Sequence, residues 1–455
     1  MSRKVKVVFL IVLVSILGYR MYELISDRNS YLGTIHKDSD VVIRIGLYDI
    51  KKTILWDAIG SPSYYYKQLT KEKKKKEDGK TEKDESSVFY TTPSNLFVYC
   101  LKNNPYQWFT VIHITNKELF KSFLNKKVLS EKVEIQHTKT YDYADVGHGF
   151  FVAWNNSKAV FTLLIKEKKK EALELSLLSM FETENFIQQS DHLLIKRIKK
   201  QKGHIAFVSD AIEMNINVKD QLLELEGQRT NQESSSYEQI QHQSSSFYLS
   251  SNLATVNIDN LTSTLGDRLN ISNIDTLMSY LKGQFVFEID GVTAQQDTVI
   301  TYEYDDNFEM VAQKTIQKKN VPSMSLTLTT QNGFLNYLKQ INWVDNTNTF
   351  TKFPLYKTKV SQREECFFLT TNNSLSDSST IERSNKLLDF YINFSKLNHD
   401  LKIPHTEHYF SLLNCLQIQV SPSYIQGSLV GTNEDINILS QIYFEIQKPT
   451  LTIDK

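Results

Sequence analysis

An eight-residue string occurs twice in this chain, and it limits the folds open to it more than any other feature. Phe150–Ser157 reads FFVAWNNS and Phe367–Ser374 reads FFLTTNNS; five of the eight positions match in order. Each string joins a strand-forming run to Asn-Asn-Ser, a turn sequence, so each predicts part of a hairpin. In the first copy Gly149–Trp154 is the outgoing strand and Ala159–Ile165 the returning one.

Two weaker matches keep the same order. Val111–Asn125 aligns without gaps on Ser325–Lys339, which sets Thr115 on Thr329, Phe120 on Phe334, Phe123 on Tyr337 and Leu124 on Leu338. His204–Gly227 aligns on His408–Gly431. Three ordered matches predict a duplication with a period of roughly 200 residues, too long for a solenoid. The competing explanation is that any strand-helix-strand unit shows the same hydrophobic periods.

After the strand Trp108–Ile114, Thr115 or Asn116 suits a helix N-cap, and Glu118 completes a capping box. Leu119, Phe120, Phe123 and Leu124 then recur at helical spacing. An antiparallel sheet must bury its apolar face, and this helix and its counterpart near Phe334 are the candidate covers. Phe120, Phe150, Asn155, Phe334, Phe367 and Asn372 are the landmarks of the repeat and its core.

The N-terminus carries a second constraint. Arg3, Lys4 and Lys6 precede the uncharged run Val7–Tyr19, and Arg20 follows. The run is shorter than the ~20 residues that span a bilayer. Lys6 and Arg20 can snorkel, and Met21, Tyr22, Leu24 and Ile25 can extend the helix. A cleaved signal peptide has an apolar region of this length, but no small-x-small site follows, and no cysteine stands there for lipidation. A buried helix is the third reading. The anchor is preferred, with the basic flank in the cytoplasm. It predicts a single-pass inner-membrane protein with the bulk of the chain in the periplasm.

The expected fold class is α+β: an N-terminal transmembrane helix followed by two related domains, each a mainly antiparallel sheet with covering helices. Residues 1–25 form the membrane anchor or signal segment, and 26–228 the first domain, which opens with a polar neck at 26–39. Residues 229–246, rich in Ser and Gln, are the linker, and 247–455 form the second domain. The Lys- and acid-rich stretch Leu69–Ser87 reads as a solvated hairpin or loop insertion rather than a docking surface, because acids are interspersed among its lysines. At 455 residues the chain is long for one core. Lys+Arg and Asp+Glu both number 52, so the charge excess of a dedicated nucleic-acid binder is missing. Cys100, Cys366 and Cys415 are too few and too widely spaced for a disulfide scaffold.

Three segments carry a resemblance: Asp40–Ile54 (DVVIRIGLYDIKKTI), Phe109–Leu124 (FTVIHITNKELFKSFL) and Ser279–Gly291 (SYLKGQFVFEIDG). With the apolar N-terminus and the two copies, the chain resembles uncharacterised exported or membrane-anchored proteins of Bacteroidetes with a duplicated domain, known as families of unknown function. The resemblance implies an envelope location and carries over no catalytic residue.

No P-loop, GxGxxG, HExxH, paired CxxC or Gly-x-Ser-x-Gly pattern is present. Three minor candidates remain. His405 and His408 would stand about one turn apart on a helix and could share a metal, although the same string opens many ordinary strands and helices. Asp290, Asp297, Glu303, Asp305 and Asp306 form an acid set that fits a hairpin's solvent face as well as a calcium or acid–base site. Tyr64, Tyr65, Tyr66, Tyr141, Tyr143, Trp154 and Trp343 are aromatics that bind ligands if exposed and fill a core if buried. Of these Tyr64, Tyr65, Trp154 and Trp343 are the binding candidates. No cofactor is expected.

The reading that results is a membrane-anchored envelope protein with a binding or scaffolding role in a membrane-associated assembly. Its partners would be the membrane, through the N-terminal helix, and envelope proteins, with no nucleic acid. The alternative is an envelope hydrolase, or a carbohydrate- or peptide-binding protein with a site between the two domains.

Overall fold

A computed structural model describes residues 26–78, 93–128, 133–166, 170–229, 245–252, 274–304, 308, 310–353, 355–372, 386–401 and 410–446. The chain divides into two compact units. The first holds residues up to Asp220 with Leu225–Asn231 and Asp435–Ser440; the second holds Gln221–Glu224, Gln232–Glu434 and the remainder from Gln441.

The strands of the first unit are β1 (Ser39–Ile45), β2 (Leu96–Leu101), β3 (Asn104–His113), β4 (Ile135–His137), β5 (Asp142–Gly147), β6 (Phe150–Trp154), β7 (Lys158–Leu164), β8 (Ile205–Val208) and β9 (Ile212–Val218); β10 (Leu222–Arg229) is divided between the units at Glu224. Pairing runs β9–β8–β1–β2–β3–β7–β6–β5–β4, antiparallel at every step. Its helices are α1 (Leu47–Gly60), α2 (Pro62–Asp78), α3 (Lys117–Lys127), α4 (Lys170–Ser179) and α5 (Leu193–Lys200).

Alternation along the strands builds the core, since residues two apart share a face. Val42, Phe97, Tyr99, Phe109 and Val111 meet Leu177, Ile195 and Ile198 from α4 and α5. A second cluster sits under α3. There Asn116 is the N-cap, its Oδ1 accepting from the Leu119 N–H at 3.0 Å. Phe120 and Leu124, one turn apart, are fully buried against Val152, Trp154 and Ala159. The β6–β7 turn is closed by Asn155, whose Oδ1 accepts from the backbone of Ser157 and Lys158, both at 2.9 Å.

The second unit contains β11 (Phe247–Asn252), β12 (Leu281–Tyr304), β13 (Met310–Thr330), β14 (Lys359–Arg363), β15 (Cys366–Thr370), β16 (Leu388–Asn393), β17 (Leu413–Val420) and β18 (Tyr424–Gly431). Pairing runs β18–β17–β16–β11–β12–β13–β15–β14, again antiparallel throughout. The helices α6 (Ile274–Ser279), α7 (Phe334–Gln340) and α8 (Phe394–Leu401) are short. Phe334 and Leu338 of α7 pack on Val344, Val360 and Phe367.

The two topologies correspond in part. In each, a strand (β3 or β13) feeds a helix (α3 or α7), and a later strand (β7 or β15) returns to pair with it. Sheet position therefore sets β15 against β7, whereas the octapeptide match sets it against β6. Ring packing follows sheet position. Phe120 meets Phe161 of β7 edge-on at 6.3 Å, and Phe334 meets Phe367 of β15 edge-on at 5.1 Å. Asn372 differs from Asn155 as well, donating from Nδ2 to Ser323 Oγ at 3.0 Å.

The structure corrects the expected fold class. Sheet dominates, with eighteen strands among the described residues and 26% helix. Among the described residues the expected N-terminal transmembrane helix followed by two α+β domains is not found; they are mostly antiparallel sheet. The helix read after Asn116 is present as the eleven residues of α3, and its counterpart near Phe334 is the seven residues of α7. The hairpin strands β12 and β13, by contrast, reach 24 and 21 residues.

The membrane expectation is corrected too. Among the described residues no helix is long and apolar enough to cross a membrane, so the membrane anchor, the transmembrane helix and the single-pass inner-membrane placement with a periplasmic body are not supported. The physical reason is that the apolar runs of the described chain fall on strands, while its long helix α2 ends in lysines and acids. Val7–Tyr19, on which the expectation rested, lies outside the described residues, as do the linker residues 230–244.

Candidate functional site

The outer half of the β12–β13 hairpin stands apart from the rest of the second unit. Up to Ile289, β12 is flanked by β11, and from Ser325 onward β13 is flanked by β15. A register shift follows between Ile289 and Val292, where Gly291 takes φ 70°. A β-carbon is disfavoured at that φ, and glycine has none. Across from it Pro322 pairs with Val292 and has no N–H to offer a neighbour. Beyond this point the two strands pair with each other, from Val292↔Pro322 to Tyr304↔Met310.

The root of this arm is fixed. Gly291 N–H donates to Asp400 Oδ2 of α8 at 3.2 Å. Buried Gln295 donates from Nε2 to the carbonyls of Lys357 (2.6 Å) and Thr371 (2.8 Å), and its Oε1 accepts from Lys357 N–H. Lys357 Nζ donates to Gln296 O at 2.7 Å and lies 3.7 Å from Asp297. Farther out every described residue of β13 from Met310 to Asn320 is exposed.

The arm has two unlike faces. Directly paired residues share a face. Thr298↔Ile316, Ile300↔Lys314 and Tyr302↔Ala312 define one, on which Met310 also falls by alternation with Ala312, and Asp297↔Gln317, Val299↔Thr315 and Thr301↔Gln313 the other. The first is apolar, with Ile316 68% exposed, Tyr302 65% and Met310 65%; Phe308, between the strands in sequence, is 85% exposed. Its described charges are Lys314 and Lys318. The second face is more polar, mixing Thr, Gln, Asp297 and Lys319 with Val299 and the exposed Val311. A free two-stranded hairpin is only marginally stable in water, and a run of exposed apolar side chains marks an interaction surface.

No protein-family model matches the chain, and no curated protein matches it. Among solved structures, TP0453 in crystal form I is 8% identical over 75% of this chain and 91% of that one, with a TM-score of 0.21. Crystal form III gives 8%, 75%, 92% and 0.22. Similarity at that level carries no argument about fold or function.

The residues singled out by sequence are not gathered into one site. Trp154 is fully buried, edge-on to Phe120 at 6.2 Å. Trp343 is half-buried against Phe350 at 6.0 Å. Tyr64 packs on Tyr65 at 5.6 Å. Tyr65 is itself buried, donating its hydroxyl to the Asp57 carboxylate and meeting Ser440 Oγ at 2.6 Å. Burial, then the bond to Asp57, pushes its pKa up. Tyr141 and Tyr143 are buried and bond to Glu174 through its carbonyl (3.0 Å) and its carboxylate (2.8 Å).

His405 and His408 lie outside the described residues, as do Asp305 and Asp306. Among the described residues no group of three or more His, Cys, Asp or Glu could hold a metal. The three cysteines are free thiols. Lys158 is buried with its ammonium 4.2 Å above the Phe186 ring and no hydrogen-bond partner among the described residues; burial pulls its pKa down.

Sequence reasoning read the acids here as fitting a hairpin's solvent face but missed that this hairpin runs on past its neighbouring strands, because the lysine-rich half of β13 offers no buried run. The available signal was alternation: Thr298-x-Ile300-x-Tyr302 in β12 and Met310-x-Ala312 in β13.

Proposed function

We propose that this chain is a binding or scaffolding protein of a multi-protein assembly, and that the outer β12–β13 hairpin is the element that docks. One observation carries the reading: a rooted, two-faced arm whose apolar face lies in solvent. Apolar side chains at that exposure gain about 1.5–3 kcal/mol each when fully buried, so a partner covering Tyr302, Met310 and Ile316 has a large driving force. Lys314 and Lys318 on the same face favour an apolar surface bordered by carboxylates on another protein. The free strand edges allow strand addition to the same partner.

A photocrosslinking amino acid at Phe308, used in the full chain in its native cells, tests this. The expected result is one dominant crosslinked protein, lost when Ile316→Asp and Tyr302→Asp are introduced together. A chain in which a two-residue Asn-Gly turn replaces Gln296–Lys318, yet still recovers the same partners, would overturn the proposal. Crosslinks to a second copy alone would also overturn it, in favour of self-assembly.

A further inference from the structure

The first unit contains a cavity of about 410 Å³ lined by Asp27, Tyr31, Arg44, Tyr48, Asp49, Ser94, Asn95, Lys199, Gln201 and Lys202. Its size falls within the about 300–1,000 Å³ of small-molecule sites. Its walls come from four separate parts of the chain: the segment before β1, β1 with the first turn of α1, the residues entering β2, and the end of α5.

Arg44 holds these parts together. It points inward from β1 beside Val42 and is 5% exposed. Nη1 donates to Asn95 Oδ1 at 3.1 Å and lies 3.6 Å from Asp49 Oδ2. Nη2 donates to the carbonyls of Gln201 (3.3 Å) and Gly203. Asn95 passes the order on, donating from Nδ2 to Asp27 Oδ1 (2.7 Å) and Ser30 Oγ (2.9 Å). Nε alone has no hydrogen-bond partner among the described residues. Tyr31 packs on Phe97 at 5.2 Å and carries Lys199 Nζ 4.5 Å above its ring. Burial raises the Tyr31 pKa to about 12, against the opposing pull of Arg44, so its hydroxyl stays protonated.

The charges decide the ligand. Arg44 and Asp49 offset one another at 3.6 Å. What remains is Lys199 and Lys202, both exposed at the rim, against the single carboxylate of Asp27. A surplus of cations in a walled cavity focuses a field that attracts anions. Ammonium groups bind carboxylate and phosphate through charge-assisted bonds. Asp27 spends Oδ1 on Asn95, so Oδ2 faces no described donor and suits a ligand hydroxyl.

We infer that this cavity binds a small hydroxylated oxyanion, a sugar phosphate or a sugar acid. Lys199 and Lys202 take the oxyanion, Asp27 takes a hydroxyl, and Arg44 is the positioning residue that fixes the walls. The site is built from residues of the first unit, whereas the arm belongs to the second.

Isothermal titration of the full chain with glucose phosphate, gluconate, glucose and inorganic phosphate tests the inference. Saturable binding of glucose phosphate or gluconate, but not glucose, is expected, and the tighter of the two names the oxyanion. Lys199→Gln with Lys202→Gln, both at exposed positions, should weaken it by about tenfold or more. Asp27→Asn should weaken the sugar ligand relative to inorganic phosphate, whose binding should hold or tighten because the carboxylate that opposes the lysines is gone. No saturable heat with any probe, equal binding of glucose, inorganic phosphate as tight as the sugar phosphate, or an unchanged affinity in the lysine variant would each overturn it. Lys314→Gln on the arm is the control, and its affinity should equal that of the parent.

Discussion

Phe120 and Phe334 show what single side chains contribute. Each projects from a helix into an edge-on contact with a phenylalanine on the returning strand, and each is buried. Truncation leaves a cavity that rigid sheet neighbours cannot close, so Phe120→Ala and Phe334→Ala should each cost about 3–5 kcal/mol in urea unfolding. A loss below about 1 kcal/mol would show that the site collapses freely. Histidine supplies a second residue-scale test. His204 Nδ1 accepts from the Val218 N–H at 3.1 Å, which puts the ring proton on Nε2, 2.7 Å from Thr53 Oγ1. Protonating Nδ1 would set two donors against each other, and burial already holds the pKa down. His36, with Nε2 buried and no described partner, is lowered by burial as well. The sign follows: folded pKa values lie below the unfolded value of about 6.5, so stability is full above that pH. It falls as the pH drops toward the folded pKa values and levels off below them. Urea midpoints measured between about pH 7.5 and 5 should decline, and His204→Asn should flatten the slope. A flat midpoint in the parent chain would refute the assignment.

At the scale of elements, some pieces were legible and others were not. Helix α3 could be read from its cap and its spacing, and Asn116→Ala should cost about 1 kcal/mol in the same unfolding assay. The β6–β7 hairpin was legible in Asn155-Asn156-Ser157, because an Asx turn needs only local groups. The second helix was harder. It begins at Gly333, φ 89°, rather than at Thr330, the residue aligned with Asn116. The octapeptide misled for a physical reason: two aromatics before a polar turn suit any hairpin strand with one buried face, whatever its place in the sheet. The neck at 26–39 misled in the opposite way. Its composition is polar, yet Tyr31 and Ile35 lie deep in the first unit's core. Burial there depends on neighbours that arrive from Phe97, Leu177 and Ile195, far away in sequence. The cavity was invisible for the same reason, since its walls converge only after four distant segments fold.

For the molecule as a whole, the arm is the part that folding does least to justify. Its outer residues bury little, so replacing Gln296–Lys318 by a tight turn should change the unfolding free energy by no more than about 0.5 kcal/mol, as for surface changes generally. Partner capture should vanish in the same chain, and in the parent it should weaken as salt rises, because Lys314 and Lys318 act through screened charge. Retained capture, or capture indifferent to salt, would argue against this division of labour. The arm also has a consequence for the chain's life at high concentration. Two exposed strands with open edges are a template for stacking, copy upon copy, into fibres. Lys314, Lys318 and Lys319 stand on β13 where such stacking would bring like charges into line. Exchanging all three for threonine should shorten the lag of thioflavin-positive fibre growth, with no loss of native fold beforehand. The lysines that select a partner would then also be what keeps the protein from choosing itself.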